Sequence, residues 1–296
     1  MKNKTALIYL IILGLISFSG IIRHDVSEKE YIKLADQSQF NCSGRIIQIS
    51  DSSGGSGVLI SPKHVLTAAH ILINSDEKTD TVVNDGKKVV SYHHTNERTA
   101  SAVDFKVKFG KNEYQGKAIY LHPDYLSSES KFDIAIIELA EEVAHIKPIK
   151  RNHNLDELHS KIVGVGFGAS GIANKPQTVK LLSKKIAGQN VVDSLGGYLV
   201  NERSALMFCD FDHPTNTECC NKMGSPIPEP LEYISTGGDS GSGIFREKDN
   251  NWQLIGIVSG GGVNLKQFLK SGYYGQTMKI TRVSLFNSWI EEVINN

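Results

Sequence analysis

The chain has 296 residues, 40% of them hydrophobic, and its 32 basic side chains balance 32 acidic ones. A sequence of this size can bury a substantial core. With no charge excess it projects no long-range field toward nucleic acid or an anionic membrane, and neither is expected as a partner.

At the start, Lys2 and Lys4 precede an apolar run from Ala6 to Phe18, and Ser17-Phe18-Ser19 gives a small-x-small end. This is the layout of an export signal over residues 1–20. About a dozen apolar residues fall short of the roughly 20 that span a bilayer. A secreted or periplasmic protein is therefore predicted, with no stable membrane association once the signal is removed. Residues 21–43 are polar and are expected to pack outside the fold that follows. Residues 44–72 read as three short strands with turns at 51–55 and 61–63, and Ile46, Ile49, Val58, Ile60, Val65 and Leu66 are candidate core residues. Residues 74–88 are charged and polar, the pattern of a surface loop. Period-two alternation over 103–109 predicts a half-buried strand, and the apolar run 134–139 a buried one with Asp133 at its mouth. Residues 145–154 cross to a second half, where 155–158 reads as a helical turn. Residues 210–230 form a long loop rich in Asp, Asn, Thr, Gly and Pro. Phe286, Trp289, Ile290, Val293 and Ile294 recur at helical spacing, the stripe of a docked amphipathic helix.

Chemistry concentrates at three places. Gly237-Gly238-Asp239-Ser240-Gly241-Ser242-Gly243 sets a serine among glycines, Thr67-Ala68-Ala69-His70 ends an apolar strand, and Asp133 opens another. A serine hydroxyl is a poor nucleophile until a neighbouring base takes its proton, so Ser240 needs His70. Asp133 would hold the imidazole in the productive tautomer and stabilise the imidazolium formed during attack. The backbone N–H groups of Gly238 and Ser240 would form the oxyanion hole. As isolated residues, the three read as a turn serine, a core histidine and a strand-entry cap; their joint order favours catalysis.

Other motifs carry less. Gly166-Phe167-Gly168-Ala169-Ser170-Gly171 fits a dinucleotide fingerprint, but Ile172-Ala173-Asn174-Lys175-Pro176 follows instead of a helix, so a β-turn is expected. Ser242 replaces the last glycine of a GxSxG elbow, which disfavours an α/β-hydrolase. Adjacent His93 and His94 would point to opposite faces of a strand, and an exposed loop is the plainer reading. No acidic loop has calcium-ligand spacing, and neither a metal nor any other cofactor is expected. The four cysteines, Cys42, Cys209, Cys219 and Cys220, suggest two disulfides in an exported chain. A bridge between neighbours 219 and 220 would be strained, so the expected scheme joins Cys209 to one of them and Cys42 to the other.

Histidine, aspartate, serine is the chain order of the trypsin-like, chymotrypsin-fold serine peptidases, and the resemblance extends over residues 45–294. The segment from Ser56 to His70 resembles that family's lead into its histidine, and Tyr120-Leu121-His122-Pro123-Asp124-Tyr125 the segment before its aspartate. Val163-Gly164-Val165-Gly166-Phe167-Gly168 resembles its Gly-Trp-Gly strand, with Phe167 departing, and Thr281-Arg282-Val283 with Trp289-Ile290 its closing strand and helix. The resemblance implies an all-β fold of two antiparallel six-stranded β-barrels, about 44–145 and 146–282, plus a C-terminal α-helix, in a domain spanning 44–296. It implies a monomeric endopeptidase acting on protein or peptide substrates, with His70, Asp133 and Ser240 catalytic. Ser259, Gly260 and Gly261 would pair with substrate backbone, and Ile234 stands where tryptic members carry a buried carboxylate, which implies a neutral or apolar specificity pocket unless Glu229 or Glu232 enters it. The cysteines usual beside the histidine and before the serine are missing, a pattern more like bacterial secreted members. In members made as zymogens a new N-terminal ammonium pairs with the aspartate before the serine. Here that aspartate is Asp239, and an N-terminus between Gly20 and Ile22 is preferred over one at Ile46.

Overall fold

The computed structural model describes residues 20–84, 87–128, 131–180, 184–221, 223–262 and 273–296, so all but the last residue of the expected export signal lies outside the described residues. The chain enters as strand β1 (Ile21–Ile22), followed by helix α1 (Glu28–Ala35). Ser27 caps α1 by accepting the Lys29 N–H, and the helix buries Tyr31 and Ala35. The start of this segment is not outside packing. Ile21 and Ile22 are buried, and β1 is sandwiched between two strands of the second half. Two consecutive isoleucines in a polar stretch were the signal for that.

Strands β2 (Ser43–Gln48), β3 (Gly54–Leu59) and β4 (His64–Thr67) form where three strands were predicted. Ile46, Val58, Ile60, Val65 and Leu66 are buried, whereas Ile49, just past β2 at the hairpin tip, is 50% exposed. The expected loop after His70 is instead a long antiparallel ribbon of β5 (Ile73–Asn84) and β6 (Lys87–Thr99). Its polarity concealed a hairpin pattern: Asp85-Gly86 between Thr81-Val82-Val83 and Val89-Val90 is turn chemistry flanked by β-branched residues. His93 and His94 are neighbours on β6, where only the backbone is described. Strands β7 (Phe105–Phe109), β8 (Asn112–Leu121) and β9 (Ala135–Leu139) complete the first half. Phe105, Val107 and Phe109 face inward in the predicted alternation. The six strands close into a barrel in the order β2-β3-β4-β9-β8-β7.

The second half contains β10 (Lys150–Arg151), β11 (Lys161–Gly166), β12 (Ser170–Ile172), β13 (Lys175–Lys180), β14 (Ile186–Val191), β15 (Ser194–Val200), β16 (Arg203–Asp210), the short helix α2 (Thr217–Cys220), β17 (Tyr233–Ile234), β18 (Gly243–Lys248), β19 (Asn251–Gly262) and β20 (Thr277–Arg282). Its main sheet runs β14-β11-β18-β19-β20-β16-β15, with β10 joining β19 in parallel, so it has eight strands rather than six. A smaller sheet, β13-β12-β1-β17, is the one that takes in the N-terminal strand. The glycine-rich segment 166–171 is the turn between β11 and β12, as its sequence context indicated. Helix α3 (Asn287–Asn295) follows β20, with Phe286 and Ile290 buried and Trp289, Val293 and Ile294 packed against the core that the first barrel shares with β11, β18 and β19.

Two expectations fail here. Residues 155–158 form no helical turn. Glu157 is fully buried and accepts a 2.6 Å hydrogen bond from the buried Arg282 guanidinium, leaving Leu155 and Leu158 exposed. The disulfide scheme is also wrong: Cys219 bonds Cys220, while Cys42 and Cys209 are free and buried. The reason is packing. Cys42 belongs to one core, which runs from the first barrel into β11, β18 and β19, and Cys209 to a separate one, whereas Cys219 and Cys220 sit together at the end of the short helix α2.

Candidate active site

Strand β4 ends at Thr67, whose hydroxyl donates to the Ser56 carbonyl (2.7 Å), and the chain then turns through a 3-10 helix, Ala69–Leu72, that carries His70. Asp133 sits in a tight turn before β9. Phe132 has φ +55°, its N–H donates to the Tyr198 hydroxyl (2.8 Å), and the Ile134 N–H donates to the Phe132 carbonyl (2.7 Å). This turn aims the Asp133 carboxylate at His70. One carboxylate oxygen accepts the His70 backbone N–H (3.0 Å) and the other meets His70 Nδ1 (2.9 Å). Ser259 Oγ donates to that second oxygen (2.5 Å), and Thr281 Oγ1 to the Asp133 carbonyl (3.1 Å). Burial opposes ionisation of Asp133, but the hydrogen bonds and charge of His70, with the Ser259 hydroxyl, outweigh it and hold the carboxyl below its ordinary 3.8. With Nδ1 committed as the donor to a carboxylate, Nε2 is the acceptor, and it lies 2.7 Å from Ser240 Oγ.

Ser240 is held in a glycine-lined turn. Its carbonyl accepts the Ser56 N–H (2.8 Å), and the Gly241 N–H donates to Val258 (2.8 Å). Gly238 has φ +89°, and a Cβ there would lie 3.1 Å from Gly168 Cα, so the position needs glycine twice over. Among the described residues neither the Gly238 nor the Ser240 N–H has an internal acceptor. Both donors are thus available to an external acceptor.

Beneath the turn lies Asp239, buried and without an ion pair among the described residues. Burial pushes its carboxyl up to about 7 against the pull of N–H donors from Thr236, Gly168 and Gly20. The donor at Gly20 is the residue directly before β1.

The remaining sequence candidates divide. Gly260 and Gly261 lie on β19 beside the bulge at Val258/Gly260. Ser259 directs its hydroxyl at Asp133 instead of outward. Ile234 is buried on β17, paired with Ile21. Glu232 accepts the Glu229 N–H (2.6 Å) and is raised well above its ordinary value by burial, and Glu229 pairs with Lys161 at 2.9 Å. Ser56, Thr67, Tyr198 and Thr281 were not singled out from sequence. Ser56, Tyr198 and Thr281 reach across the fold to Ser240, Phe132 and Asp133, and Thr67 holds the Ser56 carbonyl, relations with no local motif.

The sequence matches the family profile for Trypsin over residues 35–290. Among curated proteins it is similar to serine protease Hayan of Drosophila melanogaster, 24% identical over 80% of this chain and 34% of that protein. It is also similar to venom serine protease Bi-VSP of Bombus ignitus (25% identical, 76% of this chain, 56% of that protein) and to transmembrane protease serine 11B of Homo sapiens (25%, 78% and 47%). The chain spans about a third to just over half the length of these relatives. All three are animal proteins, so the expected likeness to bacterial members is not supported; it rested on two missing cysteines, and single staples come and go without changing a core. Matched by that profile across most of its length, the chain belongs to the trypsin family of serine proteases.

Proposed function

We propose that the protein is a secreted, monomeric serine endopeptidase. Ser240 Oγ attacks a peptide carbonyl while His70 Nε2 takes its proton, and Asp133 fixes the ring and stabilises the imidazolium. The carbonyl oxygen, gaining negative charge, moves onto the Gly238 and Ser240 N–H groups. Such a donor contributes roughly 3–4 kcal/mol to lowering the barrier. His70 returns the proton to the departing amine, and water then hydrolyses the acyl-enzyme along the reverse path. Residues 259–261 pair with the substrate backbone N-terminal to the cleaved bond, as an added strand. The pocket over Ile234 is neutral or apolar, since the nearest carboxylates, Glu229 and Glu232, already have partners.

The observation that carries this reading is the unbroken chain Ser240 Oγ, His70, Asp133, with contacts of 2.7 and 2.9 Å and a buried, ionised carboxylate at its end. The mature chain begins at Gly20, whose nitrogen reaches Asp239, so that removal of an export signal itself supplies the ammonium that Asp239 lacks. A fluorophosphonate probe tests the assignment. Covalent labelling that disappears in Ser240→Ala supports it; a folded wild-type protein that takes no label would falsify it.

A further inference from the structure

Two adjoining cavities on the flank between the two halves form one groove. The larger, about 660 Å³, is lined by Arg45, Lys108, Lys111 and Lys185. The smaller, about 440 Å³, adds Lys147 and Lys150 and shares Asn41, His145 and Ile146 with it. Asp36 is the one carboxylate on either wall. In a chain whose charges balance, six cations against one acid is a local excess. Five of the six make no ion pair among the described residues, and Lys108 reaches only Glu113 at 3.9 Å. Lys185 is half-buried, and burial lowers its ammonium below the ordinary 10.5. The hydroxyl of Ser43 is buried in the same wall without a hydrogen-bond partner. The groove therefore carries an unbalanced positive charge.

It also has an apolar side, on which Ile47 and Phe167 are partly exposed above the buried Phe109. Phe167 ties the groove to the catalytic turn: its N–H donates to Ser56 Oγ (3.0 Å), and the Ser56 N–H donates to the Ser240 carbonyl (2.8 Å). Phe167 and Ser56 thus link one end of the groove to Ser240 through segments other than β19, the strand that carries residues 259–261.

We propose that this groove seats an acidic, partly apolar segment of the protein substrate, C-terminal to the cleaved bond; this rests on the peptidase reading above. Carboxylates meet the six cations, and aliphatic or aromatic neighbours cover Ile47 and Phe167. A sulfated glycan would satisfy the charges and leave that apolar wall bare.

Two arms test it. In the first, fluorogenic peptides share the residues around the cleaved bond and differ in a C-terminal extension, either Glu/Phe-rich or Gln/Ser-rich. The acidic extension should raise kcat/KM about tenfold through KM, fading between 0.05 and 0.5 M salt, and Lys111→Glu/Lys147→Glu, both at exposed positions, should bring the ratio to about one. A ratio near one in the wild type, or one unchanged by the charge reversal, overturns the proposal. The second arm needs no turnover: the Ser240→Ala protein is titrated with the labelled extension alone, by fluorescence anisotropy. Tighter binding of the acidic label, lost on charge reversal, supports the groove even if no peptide is cleaved, in which case only the peptidase reading fails. Equal binding of both labels, or displacement by a sulfated oligosaccharide with no acidic-peptide binding, rejects it.

Discussion

Asp239 makes the sharpest demand on the protein. Its carboxyl is buried, receives only N–H donors, and is pushed up to about 7 from an ordinary 3.8. That displacement corresponds to roughly 4 kcal/mol against the ionised form. The folded carboxyl binds its proton more tightly than the unfolded one, so without a cation beside it stability falls as pH rises from about 4 to about 7. A free ammonium on Gly20 reverses this: the carboxylate stays ionised and the loss disappears until the amine itself deprotonates near pH 8. The perturbation is minimal. One chain begins at Gly20 and the other carries Ser19 ahead of it, which turns the amine into an amide. At pH 4 the two should differ least in their urea midpoints. By pH 7 the extended chain should be less stable by about 3–4 kcal/mol, the cost of an unpaired buried charge, and its peptide hydrolysis should fall with it because Asp239 sits between the two oxyanion donors. Asp239→Asn should abolish the fall in the extended chain's stability between the two pH values. A pH-independent difference, or none, would refute the argument that Asp239 waits for an N-terminal cation.

Ser240→Ala or His70→Ala should lower kcat by about five to six orders of magnitude with an unchanged urea midpoint, read by peptide hydrolysis and circular dichroism. Ser259→Ala removes one charge-assisted donor from the Asp133 carboxylate, worth about 1.5–3 kcal/mol; kcat should fall 10- to 100-fold with little change in KM, and a change confined to KM would assign Ser259 to substrate contact alone. Gly238→Ala forces a Cβ toward Gly168 at φ +89° and should lower kcat about 10²- to 10³-fold while the fluorophosphonate probe still reacts slowly with Ser240. Arg282→Met strands the buried Glu157 carboxylate and should destabilise the fold by about 3–5 kcal/mol, recovered largely in Arg282→Met/Glu157→Leu; urea titration of both variants decides.

Much of this was legible in the sequence because the relevant physics is local. Apolar alternation placed β7, a continuous apolar run placed β9, and helical spacing placed α3. The catalytic candidates were readable because each sits in a short motif at a strand end. What escaped were relations between distant segments. Polarity marked 74–88 as a loop, although a ribbon that pairs with itself needs no buried face to keep its register. Neighbouring Cys219 and Cys220 were judged incompatible on ring strain, and the alternative ignored that Cys42 and Cys209 belong to different cores. Residues 155–158 read as a helical turn because the partner that buries Glu157, Arg282, lies far along the chain.

Those distant relations also explain why both halves are needed for chemistry. His70 and Asp133 come from the first barrel and Ser240 from the second half. The bonds that set their geometry cross the same boundary: Ser259 and Thr281 hold Asp133, Tyr198 holds the turn before it, and Ser56 holds the serine loop and Phe167 together. The hydroxyls of Ser259 and Thr281 reach Asp133 from adjacent strands of one sheet, Thr281 fixed by its pairing with Ile257 and Ser259 set at the register shift between Val258 and Gly260. A small displacement between the halves would lengthen several of these contacts at once. Activity should therefore be lost before either core unfolds, since breaking short, directional hydrogen bonds takes far less movement than exposing a packed interior.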